Sequence, residues 1–91
     1  MYTLHIRAQA KKDIAYLKKS GGKAITIKIE KLLLELMEHP KYGTGQVEQL
    51  KGNRQGEWSR RIDKINRLIY TIKDEIVTVE VISAKGHYGS K

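Results

Sequence analysis

Apolar residues near the start of the chain recur first with the period of a strand and then with that of a helix. Tyr2, Leu4 and Ile6 alternate with polar residues, which predicts a short β-strand with one apolar face. A helix is predicted next, because apolar residues then fall three or four positions apart: Ala10, Ile14 and Leu17.

A pair of glycines divides this helical region in two. Ser20-Gly21-Gly22 interrupts the pattern, since glycine supplies the backbone freedom that a helix end needs. A second apolar stripe at helical spacing follows: Ile25, Ile29, Leu32, Leu33 and Leu36. It stops before Pro40, because the residue before a proline is disfavoured in a helix. Two helices joined by a short glycine turn predict an αα-hairpin.

The second half of the chain has the pattern of consecutive strands. Residues 46–51 predict a short strand, residues 58–70 a β-hairpin, and residues 76–82 a strand with Val77, Val79 and Val81 on one face. This order predicts an α+β fold, a small antiparallel meander sheet with the two-helix hairpin packed on one face. The opposite face of the sheet is then available for function.

The predicted hairpin places two arginines on that opposite face. If Ile62 and Leu68 share the core face, the loop between the strands must have an odd number of residues, and Arg61 and Arg67 then share the outer face. A guanidinium can donate two parallel hydrogen bonds to a phosphate, so the pair suggests an anion site. The alternative interpretation is a solvated sheet face without a ligand.

Length and charge limit the function classes. The 91 residues predict one domain over residues 1–91, and the absence of cysteine excludes disulfides and thiolate chemistry and fits a reducing cytoplasm. No apolar run is long enough for a membrane span, and the N-terminus lacks the pattern of a signal peptide. A net charge of +8 favours an acidic partner, which could be nucleic acid, an anionic surface or an acidic protein. A merely soluble basic protein is the alternative.

Five residues in the second half suit cleavage of RNA by its own 2′-hydroxyl: Glu48, Arg61, Arg67, His87 and Tyr88. A carboxylate can remove the hydroxyl proton, a histidine can protonate the leaving oxygen, and arginines can stabilise the charged phosphate. The three histidines have no metal-ligand spacing, so neither a metal nor another cofactor is expected. Taken singly, each residue also has an ordinary explanation as a surface carboxylate, a solvated imidazole or a packed ring.

Four blocks of the sequence together resemble one known family. They are Gly45-Gln46-Val47-Glu48-Gln49-Leu50-Lys51, Gly56-Glu57-Trp58-Ser59-Arg60-Arg61-Ile62, Asn66-Arg67-Leu68-Ile69-Tyr70 and Lys85-Gly86-His87-Tyr88. In this order, and in a chain of this length, they resemble the YoeB/Txe toxins of bacterial type II toxin–antitoxin modules, within the wider RelE/ParE-like group.

The resemblance implies a RelE/YoeB-like microbial RNase fold and a ribosome-dependent mRNA endonuclease. Such a toxin acts in the A site of the small ribosomal subunit, stops translation and is neutralised by a YefM/Axe-like antitoxin; many members are homodimers. Carried over by position, Glu48 is the general base, His87 the general acid and Arg67 the cation that stabilises the phosphate. The supporting residues are Tyr88 at the catalytic centre and Lys51, Arg60 and Arg61 as substrate contacts.

Two other classes of function remain open at this point. One is a ParE-like toxin that inhibits gyrase by binding a protein target and cuts no RNA. The other is a non-catalytic RNA-binding module that uses the same basic face, and an inactive toxin would have the same sequence pattern. The joint presence of Glu48, Arg67 and His87 favours the nuclease, because neither alternative needs acid–base groups.

Overall fold

The computed structural model describes residues 1–86. Within that range the chain forms one long helical segment, five strands and two single-turn 3₁₀ helices. The helical segment is α1 (Ala8–Glu38), and the strands are β1 (Thr3–Ile6), β2 (Glu48–Gln49), β3 (Glu57–Arg61), β4 (Arg67–Lys73) and β5 (Thr78–Ser83). The 3₁₀ helices are Gly52–Arg54 and Asp74–Ile76.

The five strands form one mixed sheet in the order β1-β5-β4-β3-β2. Strands β2 to β5 pair antiparallel with their sequence neighbours, which confirms the predicted meander. Strand β1 instead pairs parallel to β5, with Thr3 opposite Thr78, so the expectation of a wholly antiparallel sheet is wrong. Strand β5 also begins after Val77, which has a left-handed backbone (φ 48°) and does not share the buried face.

The helical segment differs from the predicted pair of separate helices. No connecting loop is present, and α1 runs from Ala8 to Glu38 with one non-helical residue, Gly22 (φ 77°, ψ −165°). A straight helix of 31 residues would be about 46 Å long, yet the longest dimension of the molecule is 36 Å. The predicted hairpin of two helices is therefore corrected to a single segment that bends sharply at Gly22.

An ion pair across the bend shows that the two limbs of α1 lie close together. Nζ of Lys18 is 3.3 Å from Oε2 of Glu30, twelve residues further along the chain. Twelve residues of a straight helix would span about 18 Å. The bend thus lets both limbs cover the same sheet.

The core lies between α1 and one face of the sheet. Both limbs of the helix and strands β4 and β5 supply buried apolar side chains, chiefly Ala10, Ile14, Leu17, Ile29, Leu32, Leu36, Leu68, Tyr70, Val79 and Val81. The other sheet face carries no helix in the described part of the chain; Glu48 on it is half exposed, whereas Ser59 and Arg67 are buried. Within residues 1–86, no helix has the length and hydrophobicity that crossing a membrane would require.

We expect Gly22→Ala to lower the free energy of unfolding by about 1–3 kcal/mol, because the backbone angles at this bend are essentially restricted to glycine. Urea denaturation measures the change. The control is Ser20→Ala, which alters an exposed helical residue and should change stability by less than about 0.5 kcal/mol. Equal losses in the two variants would contradict a special role for the bend.

Candidate functional site

The β3–β4 hairpin places Arg61 and Arg67 opposite each other on the outer face of the sheet. They form the last cross-strand pair before the loop, and the loop of residues 62–66 has an odd number of residues, as predicted. The Asp63 carboxylate shapes this loop by accepting hydrogen bonds from the backbone N–H groups of Ile65 (2.8 Å) and Asn66 (2.7 Å). Partial burial acts to raise the pKa of Asp63, but these hydrogen bonds and the charge of Lys28 outweigh it and leave the pKa below its ordinary value.

Glu48 and Arg67 come together across strand β3. Glu48 pairs with Ser59 in the β2–β3 ladder, and Arg67 reaches over the same serine. Nη1 of Arg67 lies 3.5 Å from Oε1 of Glu48 and 3.4 Å from Oγ of Ser59. The Arg67 side chain is only 9% exposed, whereas that of Glu48 is 51% exposed. A solvent-accessible carboxylate therefore stands beside a guanidinium that the sheet holds in place.

The end of the described chain also lies against Arg67. The backbone N–H of Arg67 donates to the carbonyl of Gly86 (3.2 Å), and the N–H of Gly86 donates to Oδ1 of Asn66 (2.8 Å). Gly86 is thereby fixed at the start of β4. His87 and Tyr88 follow directly in the sequence but lie outside the described residues, so their catalytic roles remain predictions.

The two other candidates are Arg61, which pairs with Arg67, and Lys51, which follows the two-residue strand β2. Arg61 is half-buried, and its Nε is a buried donor without a hydrogen-bond partner among the described residues. Lys51 is exposed and follows Glu48 by three positions, at the edge of a cavity of about 370 Å³. The cavity is lined by Gln49, Leu50, Lys51, Gly52 and Gln55.

Arg60 does not lie on this surface. It pairs with Leu68 on the helix-facing side of the sheet and is completely buried. In this position the guanidinium cannot reach a polynucleotide, so the expected RNA contact of Arg60 is corrected to a structural role. The alternation that places Arg61 outside places Arg60 inside, and this signal was present in the sequence.

The buried guanidinium of Arg60 is surrounded by polar partners. Its Nη1 lies 2.8 Å from Oε1 of Glu35, and its Nε donates to the Tyr70 hydroxyl (3.2 Å). Its Nη2 donates to the carbonyls of His39 (2.7 Å) and Tyr42 (2.8 Å). Sequence reasoning missed this cluster, because Glu35 has the pattern of an exposed helical residue.

Burial and hydrogen bonding act in opposite directions on Glu35. Partial burial acts to raise the pKa of its carboxyl. Hydrogen bonds from Thr44 and the positive charge of Arg60 outweigh that effect and hold the pKa below its ordinary value. Glu35 is therefore ionised at neutral pH and completes a buried ion pair.

A second charged cluster lies at the other end of the outer face, around Glu80. The Glu80 carboxylate is 2.9 Å from Nε of Arg7, 3.3 Å from Nζ of Lys73 and 3.3 Å from Nδ1 of His5. The hydrogen bond from Arg7 is the largest cause that lowers the pKa of Glu80 to about 2. Within residues 1–86, His, Asp and Glu side chains form no group of three that could hold a metal ion.

Comparison with known proteins points to one family. A family model described as the YoeB-like toxin of bacterial type II toxin–antitoxin systems matches residues 6–88. Over 68 residues, the chain is 36% identical to Toxin YoeB of Streptomyces coelicolor, which covers 75% of this chain and 79% of the relative.

Solved structures of similar sequence have the same fold. A chain of the heterotetrameric YoeB-YefM toxin-antitoxin complex from Staphylococcus aureus is 32% identical, with a TM-score of 0.77 over 97% of this chain and 99% of that chain. The YoeB dimer from Staphylococcus aureus is 33% identical, with a TM-score of 0.79 over 96% and 98% of the two chains.

We expect Glu80→Gln to be less stable than the wild-type protein at neutral pH, with the difference disappearing in acid. In the folded state the pKa of Glu80 is about 2, below its ordinary value of 4.5. A carboxyl whose pKa is lowered by folding contributes stability above its unfolded pKa, and that contribution is lost as the pH falls toward the folded pKa.

Urea midpoints measured from neutral pH down to about pH 2.5 test this expectation. The control is Glu38→Gln, which removes an exposed carboxylate from α1 and should match the wild type throughout. A stability difference between wild type and Glu80→Gln that stays constant over this pH range would contradict the assignment.

Proposed function

The chain belongs to the family of YoeB-like toxins of bacterial type II toxin–antitoxin systems, and on that premise we propose that it is a ribosome-dependent endoribonuclease. It cleaves mRNA in the ribosomal A site and so inhibits translation. The observation that carries the proposal is the contact between Glu48 and Arg67 on the open sheet face. This activity places the protein in the bacterial cytoplasm, where its ribosomal target is.

The proposed reaction is attack by a 2′-hydroxyl of the message on the neighbouring phosphorus. Glu48 accepts the hydroxyl proton while the O2′–P bond forms, and Arg67 stabilises the charge that develops on the phosphate oxygens. The P–O5′ bond then breaks, and His87 gives its proton to the leaving oxygen. The products are a 2′,3′-cyclic phosphate and a 5′-hydroxyl.

The environments of Glu48 and Arg67 suit these different roles. Glu48 is half exposed and its contact with Arg67 is long, at 3.5 Å, so its carboxylate is accessible to a substrate proton. Arg67 is held by the sheet beside Ser59 and is largely buried, which fixes the direction of its guanidinium before substrate arrives. Tyr88, Lys51 and Arg61 are assigned to substrate contacts around this pair.

Net charge supports an RNA substrate. The chain has 18 lysines and arginines against 10 acidic residues, a formal charge of +8. Charge of this sign accelerates association with a polyanion and makes binding sensitive to salt. Charge alone would also fit a non-catalytic RNA-binding module, so the proposal depends on the geometry around Glu48.

Two binding partners are part of the proposal. The similar chain from Staphylococcus aureus is found in a complex with YefM, and we assign this protein a YefM/Axe-like antitoxin. The same relative is also found as a dimer, and a homodimer is proposed here. The ribosome and its mRNA are the target, and the antitoxin prevents access to it.

We expect Glu48→Gln to slow cleavage of mRNA on programmed ribosomes by about 10²–10⁴-fold, because the amide cannot accept the hydroxyl proton. Primer extension on ribosome-bound mRNA measures the cut, with ribosome-free mRNA alongside. The matched control is Glu75→Gln, which removes an exposed carboxylate beyond the far end of β4 and should cleave at the wild-type rate.

The other variant and the product ends distinguish this function from its competitors. His87→Ala should lose cleavage as well, and the products should carry a 5′-hydroxyl. Products with a 5′-phosphate would contradict the proposed chemistry. If the wild-type protein cuts no RNA, inhibition of gyrase in a supercoiling assay would favour a ParE-like toxin, and salt-sensitive RNA binding would favour a non-catalytic module.

Expression of the wild-type chain should arrest bacterial growth, and coexpression of a YefM-like antitoxin from the same genome should restore it. Arrest follows from loss of translation, so incorporation of labelled amino acid should fall before labelled nucleotide does. The Glu48→Gln variant should permit growth while still binding the antitoxin in a pull-down. Continued arrest by Glu48→Gln would separate toxicity from cleavage.

A further inference from the structure

The segment that leads from α1 to Glu48 has little regular structure of its own. Between Glu38 and Glu48 the chain forms only turns, with positive φ at Gly43 (130°), Gly45 (93°) and Gln46 (49°). Strand β2 is two residues long, so its ladder with β3 gives Glu48 little support. The position of Glu48 therefore depends on what holds this segment.

Arg60 and Glu35 hold the segment from inside. Arg60 donates from Nη2 to the carbonyls of His39 and Tyr42, as described above, and from Nη1 to that of Thr44 (3.5 Å). The two carboxylate oxygens of Glu35 accept the backbone N–H and the Oγ1 hydroxyl of Thr44, each at 2.8 Å. The pair thus forms hydrogen bonds with three backbone carbonyls and one backbone N–H of a segment that belongs to no strand pair.

The segment is packed directly against this ion pair and against β3. A Cβ atom on Gly43 would lie 2.6 Å from Oε1 of Glu35, and one on Gly45 would lie 2.9 Å from the carbonyl oxygen of Arg61. Both distances are shorter than ordinary contacts of a Cβ atom, so a side chain at either position would require Glu35 or the β3 backbone to shift. The Gly45 carbonyl also accepts a hydrogen bond from the N–H of Arg61.

Strand β3 connects the two faces of this arrangement. On the helix side its residue Arg60 binds the segment that precedes β2. On the outer side its residue Ser59 stands opposite Glu48 and contacts Arg67. The same strand therefore sets where the segment enters β2 and where Glu48 meets Arg67.

We propose that the buried Arg60–Glu35 pair positions Glu48 for catalysis, by fixing the segment that carries it. The inference rests on the proposed function of Glu48 as general base. Neither member of the pair touches the substrate, so both are positioning residues. A general base must lie within hydrogen-bond reach of the proton that it removes, and a displacement of about 1 Å can reduce the rate about 10²-fold.

The test compares two glutamate-to-glutamine variants of the same helix in two backgrounds. Glu35→Gln weakens the hold on the segment, whereas Glu30→Gln removes a carboxylate that pairs with Lys18 on the surface. Each is made in the wild-type chain and in Glu48→Gln. Cleavage of ribosome-bound mRNA is then followed under single-turnover conditions over a range of ribosome concentrations, with each variant verified as folded by its thermal melt.

We expect Glu35→Gln to lower the maximal cleavage rate about 10- to 10²-fold, with little change in the ribosome concentration that gives half the maximal rate. In the Glu48→Gln background the same substitution should have no further effect, because the group that it positions is no longer a base. Glu30→Gln should match its parent in both backgrounds.

Three results would count against the inference, and they are separable from failure of the proposed function. An unchanged rate in Glu35→Gln would overturn it, and so would an equal further loss in the Glu48→Gln background, since that marks a general effect on the fold. A loss confined to ribosome binding would overturn it too. If Glu48→Gln itself cleaves normally, the proposed base is wrong and the positioning role falls with it.

A milder variant keeps the test decisive if Glu35→Gln does not fold. Thr44→Val removes only the hydroxyl that donates to Oε2 of Glu35 and leaves the buried ion pair intact. It should reduce the maximal rate by a smaller factor, again only when Glu48 is present. Faster hydrogen exchange of the Thr44 N–H should accompany the loss, and unchanged exchange together with an unchanged rate would overturn the inference.

Discussion

The register of strand β3 between β2 and β4 determines which face of the sheet three consecutive side chains occupy. Ser59 and Arg61 face the open side of the sheet, and Arg60 faces the helix. A shift by one residue would exchange these faces, placing Arg60 outside and burying its neighbours without partners. The site and the interior therefore depend on one alignment, which is set by the five-residue loop that Asp63 stabilises.

Charged groups stabilise this small fold in two different environments. On the outer face, the Glu80 carboxylate is within 3.3 Å of Arg7, Lys73 and the His5 imidazole, and its side chain is 12% exposed. Inside, the Arg60–Glu35 pair is hydrogen bonded at nearly every position of the guanidinium, which a buried charge requires if it is not to destabilise the fold. The interior pair holds the irregular backbone before β2 through hydrogen bonds, which apolar side chains could not form.

Sequence patterns predicted the local parts of the structure and missed the distant ones. The outer pair Arg61 and Arg67 followed from alternation and loop parity, because these operate between neighbouring strands. The parallel pairing of β1 with β5 did not, since nothing in either strand specifies a partner more than 70 residues away. Gly21-Gly22 signalled an interruption of the helix, but the sequence did not show that one residue, Gly22, suffices for the bend.

The structure brings two of the predicted site residues together and places a third on the opposite side of the sheet. Glu48 and Arg67 were expected at one site, and they are in contact. Arg60 was assigned to RNA through family resemblance, although alternation along β3 places it with the core; the pattern within the chain was the better guide there. The sequence could not have identified Glu35 as the partner of Arg60, because the irregular segment that contacts both residues has no periodic pattern.

The parallel pairing of the first and the fifth strand has a consequence for biosynthesis. Strand β1 is translated more than 70 residues before its partner β5. The sheet of a nascent chain therefore stays incomplete until β5 has been made, and contacts of such large sequence separation form slowly. Strand β1 thus stays without its partner while β2, β3 and β4 are made and can already pair with one another.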